Sequence, residues 1–397
     1  MKEPMSGQNR SIFGINKNVL SLGWVSLFTD MSSQMIFPLI PLFLANVLGV
    51  GKEVIGLIEG TAESTASILK VFSGWVSDRL RKRKALVFVG YTFSTLSKII
   101  FGFSGVWQHV FMGRFLDRVG KGIRTSPRDA LIADAIGRKG RGKYFGFHRM
   151  MDRLGAIVGT LLAFVFLTQF HNDFRKVFLI SVIPAAIAVL VIIFFVKEKK
   201  RVDKGMRKTP QLSLKLVDRR FKIFIIIAVL FALGNFSYAF LILRAQDLGI
   251  PAVIIPLVWL LYNITYAFSA IPAGVLSDRH GRRRVLAFGY ALFGIVCLGF
   301  ILAPSAAYAW VLFGLYGVFA AVFESVSRAF ASDLASQKIR ATALGVYHTS
   351  VGLAAFPASL MAGMLWRFRG SMATFSYGAV LAFVAALLLL FCLKKGK

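Results

Sequence analysis

The chain alternates between long apolar stretches and short, mostly basic connections. Runs such as Val177–Val196, Phe221–Gly234 and Tyr377–Leu393 carry almost no charge. A helix needs about 20 apolar residues to cross the hydrocarbon core of a bilayer, so runs of this kind predict membrane helices. Runs and breakers together predict about twelve spans. The first six lie near Val19–Gly49, Val54–Ser77, Ala85–Ser104, Trp107–Ala135, Lys143–Phe170 and Phe174–Val196. The second six lie near Phe221–Leu248, Ala252–Ser277, Val285–Pro304, Ala307–Ala335, Ala341–Arg367 and Ala373–Leu393.

The connections alternate in charge. Arg79–Lys84, Arg138–Lys143, Lys197–Arg220, Arg279–Arg284, Lys338–Arg340 and Lys394–Lys397 are basic. Those between them, such as Asp247–Ala252 and Ala303–Tyr308, are short and mostly uncharged, with exceptions at Arg175, Lys176, Arg367 and Arg369. Loops rich in Lys and Arg stay in the cytoplasm, so both termini are expected there, with the chain in the plasma (inner) membrane. The expected organisation is a cytoplasmic tail (1–18), a six-helix bundle (19–196), a basic linker (197–220), a second bundle (221–393) and a short tail (394–397).

Composition agrees with this reading and changes the meaning of the charge. Only 17% of residues are charged, against about a quarter in soluble chains. A net charge of +30 would suggest nucleic acid in a soluble protein. Here the positive residues fall mostly in the loops, where they set topology, so no nucleic-acid partner is expected. Cys297 and Cys392 both lie inside apolar runs, without metal-site spacing. The first apolar run is too long and too polar in its middle for a removed signal peptide. No enzyme motif stands out: there is no Gly-x-Ser-x-Gly elbow, phosphate-binding Gly loop or metal constellation.

The halves are related. Gly74-Trp-Val-Ser77-Asp78-Arg79-Leu-Arg81-Lys82-Arg83-Lys84 recurs as Gly274-Val-Leu-Ser277-Asp278-Arg279-His-Gly281-Arg282-Arg283-Arg284. Each copy joins the second span of its half to the third. Phe145–Arg149 is echoed more weakly by Leu344–His348. Parallel repeats of six helices predict two bundles around a central cavity. Gly74 and Gly274 are expected to leave room for a neighbouring helix. Asp78 and Asp278, at helix ends, are expected to bind a helix N-terminus or an Arg.

The duplicated loop closely resembles the signature of the major facilitator superfamily (MFS), with Arg81 in place of the usual Gly. The fourth span, with Arg114, Asp117 and Gly120, resembles the family's Arg-bearing motif, and Arg118 replaces a small residue. Gly155-Ala-Ile-Val-Gly159 resembles the Gly-rich stretch of antiporters, with Thr160 where Pro usually follows. Asp30 with Pro38-x-x-Pro41 resembles a further signature in the first span. The resemblance implies an all-α polytopic fold of twelve transmembrane helices in two pseudo-symmetric bundles, similar to drug and organic-solute proton antiporters. It also implies a gating role for Gly74, Asp78, Arg79, Gly274, Asp278 and Arg279, which would latch the cytoplasmic side.

Ionisable groups at membrane depth cost several kcal/mol unless paired or hydrated, so each is a functional candidate. Glu59, Glu63, Ser67 and Lys70 share one face of the second span. Two carboxylates four apart repel, which suits a proton carrier. Arg114, Arg118, Lys121, Thr125 and Arg128 form a stripe on the fourth span. His148, Asp152, Gly155 and Gly159 share a face of the fifth, with Arg149 and Arg153 beside them. Arg149 and Asp152 have the spacing of an intrahelical pair. The second half offers Asn235, Tyr238, Arg244, Trp259, Tyr262, Asn263, Tyr266, Glu324, Arg328 and His348. Coupling chemistry is therefore expected in the first half, at Asp30, Glu59, Glu63 and Asp152. Shape and stacking are expected in the second.

The functional expectation is a monomeric secondary transporter that moves a small organic solute, anionic or amphipathic, across the lipid bilayer by alternating access. It would export against protons, driven by the proton gradient and with no cofactor. Import or facilitated passage of an organic anion, or lipid handling, are the alternatives.

Overall fold

Apolar length becomes helix almost throughout, and breaks fall where the sequence removes a donor or adds a cap. The structure, a computed structural model, describes residues 11–12, 15–80, 82–136, 141–198, 218–335 and 340–393. Most of the two tails, most of the linker and Arg81 lie outside the described residues.

The first span starts with α1 (Lys17–Ile36), capped by Asn16, whose side chain accepts from the Asn18 amide. Pro38 and Pro41 have no N–H to continue the ladder. The chain therefore passes through a short turn, α2 (Ile40–Leu42), and a π-helical turn at Phe43–Val47. Then follow α3 (Lys52–Leu80), α4 (Arg83–Gly102), α5 (Trp107–Ala135) and α6 (Arg141–Gln169). The sixth span divides into α7 (Phe174–Ile180) and α8 (Val182–Phe195).

The seventh span also divides, into α9 (Arg219–Gly234) and α10 (Tyr238–Asp247). The apolar run marks this stretch only as a single span, Phe221–Leu248. Ser237 starts a new helix within it, its hydroxyl accepting from the Ala239 amide. The rest comprises α11 (Ile255–His280), α12 (Arg282–Leu302), α13 (Ala306–Asp333) and α14 (Arg340–Cys392). α14 is two spanning arms turned at Gly370, whose φ of 81° falls where only glycine is unstrained.

Nine helical stretches among the described residues are long and apolar enough to cross a membrane. α3 and α5 have the length but more charge, and α14 crosses twice. That makes twelve crossings in two bundles of six.

Within the first bundle α1 packs on α6 and α8, and α5 on α3 and α4. Within the second, α13 packs on α11 and α12, and α14 on α9 and α12. The bundles meet along two seams, α3 with the first arm of α14 and α6 with α11. These are second-with-eleventh and fifth-with-eighth spans, the same pairing with the halves exchanged.

The repeat extends to ion pairs that the motif search did not anticipate. Arg83, opening the third span, pairs with Asp134 at the end of the fourth, and Arg282 pairs with Asp333 in the same way. In the first bundle the Glu198 carboxylate also accepts from the Arg83 and Lys84 amides, at 2.6 and 3.1 Å, capping α4.

The seams are tight at the end away from the basic loops and part toward those loops. A Cβ on Gly60 would lie 2.8 Å from the Phe356 carbonyl oxygen, and one on Gly363 would lie 2.8 Å from the Glu53 Cα. Toward the basic end, a Cβ on Gly345 would reach Val71 only at 4.0 Å, and Gly146 and Gly274 face open space. The close approach expected at Gly274 is therefore absent here, because the bundles have separated there.

Gly60→Leu should wedge the tight end open. In a background lacking Cys297 and Cys392, Gln34→Cys should then react several-fold faster with a membrane-impermeant maleimide. Equal labelling with and without Gly60→Leu would show that the seam does not hold that end shut.

Candidate functional site

Small residues bring α3 and α5 close enough for their charges to meet. The Ser73 hydroxyl donates to the Gly122 carbonyl and that of Ser126 to the Lys70 carbonyl, both at 2.8 Å. About two to four turns away, Arg114 grips Glu59 with two parallel bonds, Nε to Oε1 at 2.8 Å and Nη2 to Oε2 at 2.7 Å. Both side chains are wholly buried. A bidentate pair of this kind is the strongest fit a guanidinium makes to a carboxylate.

The pair also reaches the other bundle. Arg114 Nη2 donates to the Tyr238 hydroxyl at 2.8 Å, and the Ser237 hydroxyl donates to Glu59 at 3.3 Å. Tyr238 in turn donates to the Phe37 carbonyl at 3.4 Å. The Phe37 ring lies beneath the guanidinium groups of Arg114 and Arg118, 4.7 and 4.8 Å from its centre.

Next along the stripe, Arg118 contacts Glu63 at 3.2 Å, and Lys98 pairs with Asp117 at the same distance. Glu59 and Glu63 therefore do not share a site, since each has its own arginine. Glu63 keeps 41% of its side chain exposed. Exposure this deep in the helix, within electrostatic reach of Tyr316 on α13, marks the central cavity. Lys121 is exposed too, near Glu63, Asp117 and Asp30. Arg124 bonds the Ser94 hydroxyl at 2.5 Å and stacks on Tyr91, while Arg128 holds its neighbour Asp129 at 3.0 Å.

Asp30 and Asp152 stand apart from these pairs. Gly155 and Gly159 let α6 approach the α1 backbone, a Cβ on each lying 3.0 Å from Leu27 Cα and 2.7 Å from Met31 Cα. The approach sets Asp30 and Asp152 within electrostatic reach of each other, near Arg124, Lys121 and Arg128. Among the described residues the Asp30 carboxyl has no hydrogen bond or ion pair. Asp152 Oδ1 is buried without a partner. Among the described residues Arg149 and Asp152, though spaced for an intrahelical pair, do not form one. Asp152 instead lies 3.6 Å from His148 Nδ1, on its own face of the helix, and the other ring nitrogen of His148 bonds the Ser26 hydroxyl at 2.8 Å.

The second bundle contributes a run of aromatic rings. Trp259 stacks on Tyr262 at 4.3 Å between centres and contacts Tyr238 at 4.9 Å, and Tyr262 stacks on Tyr316 at 5.2 Å. Trp259 Nε1 donates to Gln34 across the bundle interface at 2.8 Å. Arg153 lies 3.7 Å over the Tyr266 ring, whose hydroxyl donates to Glu324 at 2.7 Å. Asn263 donates to the Trp259 carbonyl, and the side-chain oxygens of Asn263 and Asn235 are buried without partners. His348 lies nearer the basic end, its ring against Tyr347. Arg244 bonds the Phe300 carbonyl at 3.1 Å, which ties α10 to α12.

Of the gating residues, Arg79 lies over Trp75 at 5.4 Å, and Asp278 is mostly exposed, 3.4 Å from Arg282. Arg279 is exposed, and a Cβ on Gly74 would meet Ser126 at an ordinary 3.5 Å. The Asp78 side chain lies outside the described residues. Sequence reading missed Gln34, Ser237, Tyr316 and Lys98. Only Lys98 left a signal, as a lone cation inside an apolar run.

The profile of the Major Facilitator Superfamily matches residues 22–261 and again 223–397. The chain belongs to this family. An uncharacterized MFS-type transporter of Methanocaldococcus jannaschii is 43% identical over 95% of both chains. A protein of Cupriavidus pinatubonensis named a probable 4-methylmuconolactone transporter is 27% identical, over 81% of this chain and 77% of its own. In fold, the chain superposes on a POT family transporter in complex with a thioalcohol-conjugated peptide, with TM-score 0.80 at 13% identity over 96% of this chain and 97% of the other. It is an MFS transporter of a small solute and a multi-pass integral membrane protein.

In this MFS chain the Glu59–Arg114 pair should dominate local stability. Glu59→Gln strands a buried guanidinium and should cost about 3–5 kcal/mol. Tyr238→Phe should cost about 1 kcal/mol, the net worth of one hydrogen bond. Thermal unfolding in detergent checks both. The double variant Glu59→Gln/Arg114→Gln should lose less than the two single losses added, and strict additivity would contradict the pairing.

Proposed function

We propose that the protein is a proton-coupled exporter of a small organic anion with a flat apolar part. The observation that carries the coupling is the pair Asp30 and Asp152. Glu59 and Glu63 are held by arginines, so protonating either would break an ion pair. Asp30 and Asp152 have no such partner, and each lies within the other's field. The two carboxyls are electrostatically coupled, so the charge on one bears on the other. A carboxylate that gains or loses a proton without disturbing an arginine can respond to the gradient at small cost. No cofactor is needed beyond that gradient.

The substrate class follows from what faces the cavity. Exposed or cavity-edge cations outnumber free carboxylates, with Lys121, Arg149 and Arg153 prominent among them. The facing aromatic run offers stacking surfaces. The relative named for a lactone is in keeping with a small ring-bearing solute.

Under the positive-inside rule the basic loops support a cytoplasmic open end, with both termini on that side of the plasma membrane. The state described here is then the loading state for export. The Gly155–Gly159 contact with α1 supports antiport, because it joins the helix bearing Asp152 to the helix bearing Asp30.

Proteoliposomes test the reading. An organic anion such as benzoate or phthalate should move against an imposed pH gradient. Asp30→Asn and Asp152→Asn should abolish the gradient-driven part, at least tenfold, and keep solute exchange at equal pH. Transport that ignores the gradient in the unaltered protein would remove the coupling claim.

A further inference from the structure

Four basic side chains converge from four different helices just below the aromatic run, toward the open end. Their depth is fixed by the seams. Along α3 and α14, the Ser64 hydroxyl donates to the Gly352 carbonyl at 2.7 Å, and Val71 approaches Gly345. Lys70 and His348 lie between these two contacts. Across the cavity, Arg149 and Arg328 each stand one helical turn nearer the open end than Arg153 and Glu324, which flank Tyr266. The electrostatic neighbours agree. Lys70 is within reach of Arg328, Arg149, Arg128 and Asp129, and His348 within reach of Lys70 and Arg328.

The carboxylates near this layer are already engaged. Asp129 accepts two bonds from Arg128, at 3.0 and 3.1 Å. Glu324 accepts from Tyr266, and its own carbonyl accepts from Arg328 at 2.9 Å. Among the described residues the Lys70 ammonium and the Arg149 guanidinium have no hydrogen bond or ion pair. Ionic groups inside a transporter are normally paired with one another or aimed at a water-filled pathway. Arg328 also stands 3.9 Å from the Glu324 carboxylate, but Lys70 and Arg149, drawn toward it against mutual repulsion and paired with no protein anion among the described residues, call for an anion from outside.

We infer that Lys70, Arg149, Arg328 and His348 form a binding site for a doubly charged anionic head, a dicarboxylate or phosphomonoester, at the open mouth of the cavity. Lys70 and Arg149 supply the two unpaired charges. Arg328 adds a third donor beside them, and His348 a further hydrogen bond. The ring or chain behind the head lies against Tyr266 and Tyr262, one turn deeper. Because Lys70 and Arg149 belong to the first bundle and Arg328 and His348 to the second, a bound dianion draws the bundles together at the open end. The site thus loads the substrate and also favours closure behind it.

This inference rests on the reading of the chain as an organic-anion transporter and narrows the substrate to dianions. Equilibrium binding without a gradient tests it separately from proton coupling. Purified protein in nanodiscs is titrated with phthalate, phenyl phosphate and benzoate, and binding is followed by calorimetry and thermal shift. At least one of the two dianions should bind at least tenfold more tightly than benzoate. Lys70→Gln and Arg149→Gln should each weaken dianion binding at least tenfold. Lys70→Arg and Arg149→Lys should keep most of it, which excludes misfolding as the cause. Benzoate binding as tightly as both dianions would overturn the site, as would Gln variants that bind dianions unchanged. If binding behaves as expected while the Asp30 and Asp152 variants still follow the gradient, the coupling reading fails and the site stands.

Discussion

Two opposite charges with no access to water hold the first bundle together, and much of the remaining site is arranged around them. A lone buried Glu59 or Arg114 would be too costly to keep charged in this position. The bidentate bond fixes α3 against α5, and Glu59 Oε2 and Arg114 Nη2 also reach the other bundle through Ser237 and Tyr238. This explains why the seventh span breaks where it does. A continuous helix would have no free hydroxyl at its start to meet Glu59. The break at Asn235–Ser237 gives α10 its own N-terminus, with the positive end of its dipole beside the carboxylate.

Around that fixed point the halves divide their work by chemistry. The second bundle is packed with rings, Phe231 lying flat on Tyr290 at 3.8 Å and touching Phe293, Phe319 and Phe323. Such a core offers few polar alternatives to its packing. The first bundle is threaded by ion pairs, Glu59–Arg114, Glu63–Arg118 and Lys98–Asp117 among them. An aromatic half and a charged half suit rocking about the tight seam, and the proposed function makes the aromatic run the face that the solute meets.

Much of this was legible in the sequence, for stated reasons. Apolar length and loop charge are local properties, so the spans and their connections could be read directly, and the duplicated Asp-Arg loop marked the repeat. Partners were harder. Arg149 and Asp152 have the right spacing to pair, yet the α1–α6 contact at Gly155 and Gly159 leaves Asp152 beside His148. Glu59 and Glu63 read as a repelling pair, and each proved to have an arginine from α5. Lys98 and Gln34 find their partners on other helices, which no helical period in one segment can reveal. The breaks in the first and seventh spans depend on two prolines and one serine, too few residues to interrupt an apolar pattern.

Gly370 turns the last two crossings about with no loop between them, and the other connections on that side, at 48–51, 103–106, 170–173, 248–254 and 303–305, are almost as short. The protein is therefore nearly flush with the membrane on one face and carries its basic loops on the other. A soluble partner or protease would find little backbone to grip on the smooth face. A soluble regulator would find its handle on the side where the loops are.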